Sequence, residues 1–250
     1  MLEPKISIIT IVYNNVRDIE YTLQSVVQQT YTNIEYIIID GASTDGTMAV
    51  IARYKNYITT LISEKDKGIY DAMNKGLALA TGDYVLFLNS GDALYDSDTL
   101  ATVVSRGNQA DIIYGETKLV DENRNIIGDR RHKAPRHFNW QSFQYGMSIC
   151  HQAIYVKRNI APAYDLQYQL SADIDWVIRS AKAAKSSQYV DHYVARYLVG
   201  GMSQKRHQQS LQERYSIFKK HYGSFRNIIN HGIIALRLLF YRIRHGKTRE

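Results

Sequence analysis

The sequence predicts an α/β protein: a mostly parallel sheet flanked by helices, followed by a C-terminal helical extension. Three observations carry this. Short β-branched runs alternate with amphipathic stretches of about 10–14 residues, the rhythm of strands joined by helical crossovers. Each run ends in a cluster of polar residues. The last fifth of the chain breaks the pattern and reads as basic helix.

The elements follow in order. Ile6–Val12 is an apolar run stopped by Tyr13-Asn14-Asn15, a buried strand and its loop. Asp18–Thr30 places Ile19, Leu23, Val26 and Val27 on one helical face. Ile34–Ile39 is a second strand, ended by Asp40-Gly41, and Thr44-Asp45-Gly46-Thr47 leads into a helix through Tyr54, with Asp45 and Thr47 as its local caps. Thr59–Ser63 is a short strand, Ile69–Ala80 a helix and Tyr84–Leu88 a strand. Beyond residue 110, Asp111–Glu116, Lys118–Val120 and Asn125–Ile127 read as short strands, Ala172–Ala184 as a helix and Gln188–Leu198 as a strand broken by Gly200-Gly201. Arg206–His221 and Asn227–Arg244 read as helices.

Composition narrows the function. The 250 residues carry a net charge of +7 and a pI near 9.3, which taken whole suggests a polyanionic partner. The charge is unevenly placed. From Gln204 onward there are eleven Lys/Arg against two Asp/Glu, a net of +9; residues 1–203 hold 20 against 22, a net of −2. An acidic body without a nucleic-acid motif argues against a nucleic-acid binder. A single cysteine, Cys150, excludes an internal disulfide framework and a multi-cysteine metal site, and reads as a buried small hydrophobe. No secretory signal and no bilayer-spanning run is legible, so the expected location is cytoplasmic.

In open parallel sheets ligands collect at the carboxyl ends of the strands. Here those ends carry Tyr13-Asn14, Asp40, Glu64-Lys65-Asp66 and Asn89-Ser90-Gly91-Asp92. The first loop has neither a dinucleotide fingerprint nor a phosphate-cradling GxxxxGK[ST]. Carboxylates repel phosphates unless a divalent cation intervenes, while acids at neighbouring strand ends suit base and ribose donors. The pattern points to a metal-assisted nucleotide-sugar site.

Three long segments then become recognisable: Ser7 through Asn14 with Ile37 through Thr47; Ser63 through Gly76; and Ala80 through Asp92. Together they resemble glycosyltransferase family 2, continuously from residue 6 to about 100 and more loosely to about 203. The resemblance implies a GT-A fold (Rossmann-like), with residues 1–100 as the nucleotide-sugar half, 101–203 as the acceptor half, and 204–250 as a basic amphipathic tail. It implies that Thr10, Tyr13 and Asn14 line the base and ribose, that Asp40 holds the base, most often uracil, that Asp66 sits against the nucleoside, and that Asn74 and Lys75 lie near it. Asp92 matches the last acid of the family's DxD-type motif, implying a Mn²⁺ or Mg²⁺ cofactor that holds the diphosphate; Ser90 departs from that motif.

The base is expected in Ser171-Ala172-Asp173-Ile174-Asp175-Trp176, where the family places an acid before a helix; Asp173 is favoured over Asp175. His151 falls in an acceptor-side segment, while Gly201 and Ser203 fall in a loop that resembles the family's donor lid, with His207 just beyond. The implied activity is inverting transfer from a nucleotide-sugar, UDP favoured, to a lipid-linked glycan in bacterial surface polysaccharide synthesis. The alternatives are a non-catalytic nucleotide-sugar binder, suggested by Ser90, and a sugar nucleotidyltransferase, whose glycine-rich loop Thr10–Val16 lacks. In the tail, Ile228, Ile229, Ile233, Leu236, Leu239, Phe240 and Ile243 form one apolar stripe with arginines at its margins, the pattern of a helix on an anionic membrane. The expected partners are therefore a nucleotide-sugar, a glycan acceptor and the inner face of the plasma membrane, with no nucleic acid.

Overall fold

The structure, a computed structural model, describes residues 3–200 and 206–245. A nine-stranded sheet organises it. Its first half is built from β1 (Ile6–Val12), β2 (Ile34–Asp40), β3 (Thr60–Ser63) and β4 (Tyr84–Phe87), parallel and in the order β3-β2-β1-β4. All seven residues of β1 are buried, as a central strand covered on both faces requires. The crossovers are α1 (Ile19–Val27), α2 (Thr47–Ala52) and α3 (Ile69–Leu79). In α1 the predicted face goes inward: Ile19, Leu23 and Val26 are buried.

The second half departs from a parallel sheet. After β5 (Ala93–Leu94) and α4 (Thr99–Arg106) come β6 (Ile112–Val120), β7 (Ile126–Asp129) and β8 (Ile154–Lys157), then α5 (Ala172–Ala183) and β9 (Ser187–Leu198). The order continues β4-β8-β6-β9-β5, with β8 antiparallel to both neighbours, β9 parallel to β6, β5 antiparallel to β9 and β7 hairpinned on β6. The two short strands expected at 111–120 are one strand whose register against β9 shifts on either side of Glu116. Such bulges bend a strand without ending it, which is why residue patterning alone divides it. α4, β5 and β8 carry no sequence expectation; β5 and β8 are too short for periodicity to register.

Two further helices, α6 (His207–Tyr222) and α7 (Ser224–His245), complete the described residues. α6 is joined to the body by Glu213, whose carboxylate accepts the backbone amides of Gln169 at 3.1 Å, Leu170 at 2.8 Å and Ser171 at 3.0 Å. A buried acid ties the lower rim of the sheet. Glu35 accepts Ser7 Oγ at 2.5 Å, Thr81 N at 2.7 Å and Thr81 Oγ1 at 2.6 Å. Burial pushes its pKa up, but these bonds and Lys5 outweigh that and hold it at about 2.

Candidate active site

The carboxyl ends of β1, β2 and β3 meet as predicted. Asp40 closes β2 fully buried; its Oδ2 accepts Ser63 Oγ at 2.6 Å and Ser43 N at 3.0 Å, while Oδ1 has no partner. An unpaired buried carboxylate oxygen is costly and invites a donor from a ligand. Beside it, Gly41 permits a close approach: a Cβ there would lie 2.7 Å from Asp66 Oδ2 and 3.1 Å from the Tyr13 ring. Tyr13 is 65% exposed, so its ring face is free for stacking. Asp66 is steadied by Gly68 N at 2.9 Å. Tyr13, Asp40 and Asp66 thus lie together around Gly41.

Four other predicted nucleotide residues serve the frame. Thr10 is fully buried, its hydroxyl 3.2 Å from Tyr36 OH beneath the strand surface, because inward-facing positions on a central strand point into the helix layer. Asn14, at φ 46°, laces the first two strand ends together, with Asn14 N donating to Ser43 Oγ at 2.8 Å and Thr44 N to Asn14 Oδ1 at 2.8 Å. Asn74 clamps the backbone of Tyr164 in both directions, at 3.0 and 2.6 Å. Lys75 holds the 64–66 loop through Glu64 at 2.8 Å and Lys65 O at 3.0 Å. Thr10 and Asn74 direct their polar atoms into the protein, while Asn14 and Lys75 tie loops together at the surface.

The turn Asn89-Ser90-Gly91-Asp92 borders a cleft of about 1810 Å³. Gly91 has φ 103°, a conformation that favours glycine. The Asp92 carboxylate is 5% exposed and faces inward: Oδ1 accepts Leu198 N at 2.9 Å and Oδ2 accepts Gln152 Nε2 at 2.6 Å. Burial outweighs these two bonds and the nearby Arg124 and raises its pKa to about 7. Ser90 Oγ accepts Asn15 Nδ2 at 2.9 Å, and Asn89 contributes one buried, unpartnered neutral oxygen. Mn²⁺ and Mg²⁺ favour about six oxygens, with ionised carboxylates among them. A single engaged carboxylate does not fit that need, and among the described residues no group of three His, Cys, Asp or Glu side chains is placed to hold a metal. In this structure Asp92 ties the turn to the end of β9 and to the 150–153 segment.

The two candidate bases separate cleanly. Asp173 lies in the first turn of α5, half-buried on the cleft wall; Tyr70 OH donates to its Oδ1 at 3.3 Å, as does Ile174 N at 3.0 Å. Its Oδ2 carries no protein bond among those described. Asp175 is fully buried on the opposite side, paired with Arg179 at 2.6 Å, His221 at 2.8 Å and Lys220 at 3.2 Å. Neighbours two apart on a helix face apart, and only Asp173 faces the cleft.

His151 lines the cleft but is 4% exposed, its Nε2 2.7 Å from Tyr164 OH and its ring stacked on Phe87. Burial lowers its pKa to about 4, against the pull of Asp173, so it is neutral at pH 7. It is thus a largely buried part of the cleft wall. Gly201 and Ser203 lie outside the described residues; Gly200 and His207 on either side of them border the cleft. Sequence reasoning missed Arg130 and Arg214, which line the same cleft outside any recognised motif. Gln152 was signalled only by its place beside His151.

The model of the family "Glycosyl transferase family 2" matches residues 7–160. A PGL/p-HBAD biosynthesis glycosyltransferase of Mycobacterium bovis is 34% identical over 215 residues, 81% of this chain and 80% of the relative. Among solved structures, Staphylococcus aureus TarS 1–349 in complex with UDP-GlcNAc superposes with a TM-score of 0.62 at 19% identity, over 79% of this chain and 59% of that one. The mannosyltransferase PcManGT of Pyrobaculum calidifontis, in complex with GDP-Man and Mn²⁺, gives 0.67 at 18% identity, over 99% and 77%. At such identities the superpositions speak to the fold, which is GT-A. The family match and the extended similarity across four-fifths of the chain go further: this protein belongs to glycosyltransferase family 2 and is a glycosyltransferase.

Proposed function

We propose that the protein transfers a sugar with inversion from a nucleoside-diphosphate sugar, UDP favoured, to a glycan hydroxyl on a lipid carrier in surface polysaccharide synthesis. The observation that carries the reading is Asp173, a carboxylate on the wall of the cleft that begins at the strand-end turn. Tyr13, Asp40 and Asp66 receive the nucleoside: the ring stacks on the base and Asp40 Oδ1 accepts from it. Asp173 takes the acceptor's proton as the acceptor oxygen bonds to C1, and the C1–oxygen bond to the diphosphate breaks with its electron pair leaving on the diphosphate. One displacement needs no covalent intermediate and inverts C1. Residues 1–100 then serve the donor and 101–203 the acceptor. The test is incubation with α-linked UDP-sugars and a glycan acceptor, reading the anomer by NMR; a β-linked product is expected, and an α-linked one overturns the single-displacement reading.

The tail supplies the acceptor's surroundings. α7 rests on α6 through a polar face: Asn227 and Asn230 are buried, and the His231 ring meets Tyr215 at 4.9 Å. Several of its apolar residues are left outside: Phe225 is 80% exposed, and Ile228, Ile229, Leu236, Leu239 and Phe240 are exposed with it. An apolar face with Arg226 and Arg237 alongside is suited to the headgroup region of an anionic leaflet. No helix among the described residues is long and apolar enough to cross a membrane. Ile228→Glu with Leu236→Glu is expected to reduce co-sedimentation with phosphatidylglycerol vesicles more than about tenfold. Undiminished recovery would sink the membrane assignment.

A further inference from the structure

We infer that Arg130, assisted by Arg214, receives the negative charge of the donor's diphosphate, the task that the family resemblance gives to a dication on Asp92. The inference rests on the nucleotide-sugar reading above. It starts from the inward-facing Asp92, whose two oxygens are taken by Leu198 N and Gln152 Nε2. What the cleft offers instead is guanidinium. Arg130 follows directly on β7 and lines the cleft, and its Nη1 is buried without a hydrogen-bond partner. Its charge acts on Cys150 and Tyr197, and Tyr197 in turn feels both Asp92 and Asp173. Arg130 therefore stands in the electrostatic neighbourhood that joins the strand-end turn to the catalytic carboxylate.

Arg214 reaches the same cleft from α6, and its Nε is also buried and unpartnered. The preceding residue, Glu213, is bonded to the three amides that lead into α5, so this turn of α6 is tied to the segment before Asp173. Neither arginine is paired with a carboxylate among the described residues, whereas Arg17 and Arg124 nearby are paired with Glu122 and Asp18. Arg196 also has an unpartnered Nε, but it is not part of the cleft wall. A buried guanidinium N–H left unpaired is unfavourable, and its planar fork matches the oxygens of a phosphate. Both arginines line one cleft, and neither spends its charge on a carboxylate among the described residues, which suits them to a diphosphate dianion. Asp92 then acts as a positioning residue for the turn and for the end of β9.

Calorimetric titration of the full-length protein with UDP, GDP and uridine, in excess EDTA and again in excess Mn²⁺, tests this directly. The wild type is expected to bind UDP with affinities within about threefold in the two conditions. Arg130→Gln is expected to weaken UDP more than about tenfold in EDTA and leave uridine unchanged, because the lost contacts are to charged oxygen. Arg130→Lys recovers part of the loss, and Arg214→Gln gives a smaller loss of the same kind. A more than tenfold fall in wild-type affinity on removing Mn²⁺ overturns the inference, as does unchanged UDP binding by Arg130→Gln. Absence of binding by every nucleotide, with or without Mn²⁺, overturns the nucleotide-sugar reading itself.

Discussion

Asp173→Asn is expected to lower kcat for sugar transfer about 10³-fold, within the usual range for loss of a positioned general base. Donor KM and thermal stability should barely change. The amide is isosteric and its oxygen can still accept Tyr70 OH and Ile174 N, the two bonds that orient the side chain now. Only the capacity to take a proton is removed. Steady-state kinetics beside a melting curve check this; a variant that folds normally and retains activity within about tenfold of wild type removes Asp173 as the base.

The reverse pattern is expected two residues on. Asp175→Ala should destabilise the fold by about 3–5 kcal/mol, because it strands the cations Arg179 and Lys220 and the buried His221 around an emptied centre. For a chain of this size that is a fall of about 10 °C in Tm. The pH dependence has a definite sign. Burial raises the Asp175 pKa, but His221, Arg179 and Lys220 outweigh it and hold the group well below its ordinary 3.8. The stabilisation is therefore complete above the unfolded value and is lost as pH falls through the folded one. Urea unfolding should show the wild type losing its advantage over Asp175→Ala progressively below about pH 4. A constant gap between the two proteins down to pH 2 would contradict the ion-pair account.

The contrast between these two acids shows what sequence reasoning reached. Both stand in one short acidic segment at a helix start, and the preference for Asp173 came from a motif position. The physical ground for it is that α5 turns Asp173 to the cleft and Asp175 to α6, where the partners lie 46 residues away at His221 and 45 at Lys220. Such distant pairings leave no local pattern. The strand ends were more legible: Tyr13, Asp40 and Asp66 converge because parallel strands with helical crossovers bring their carboxyl ends to one edge. Asn14, Asn74 and Lys75 were read as ligand contacts from the same segments. In the structure they also brace neighbouring loops, and a motif does not distinguish the residue that touches a ligand from the residue that holds the loop. Asp92 carries the same lesson: its partners Gln152 and Leu198 come from segments far along the chain.

The alternation of apolar runs, the acids that end them and the basic, amphipathic tail were determined by the sequence alone, because hydrophobic periodicity and turn chemistry are local properties. The mixed second half of the sheet, the inward orientation of Asp92, the unpaired guanidinium atoms of Arg130 and Arg214 and the polar seat of α7 were decided by tertiary structure. The reason is physical. Whether a charged side chain becomes a ligand or a brace depends on which distant donors and acceptors reach it and on how much water it loses. Folding alone decides both.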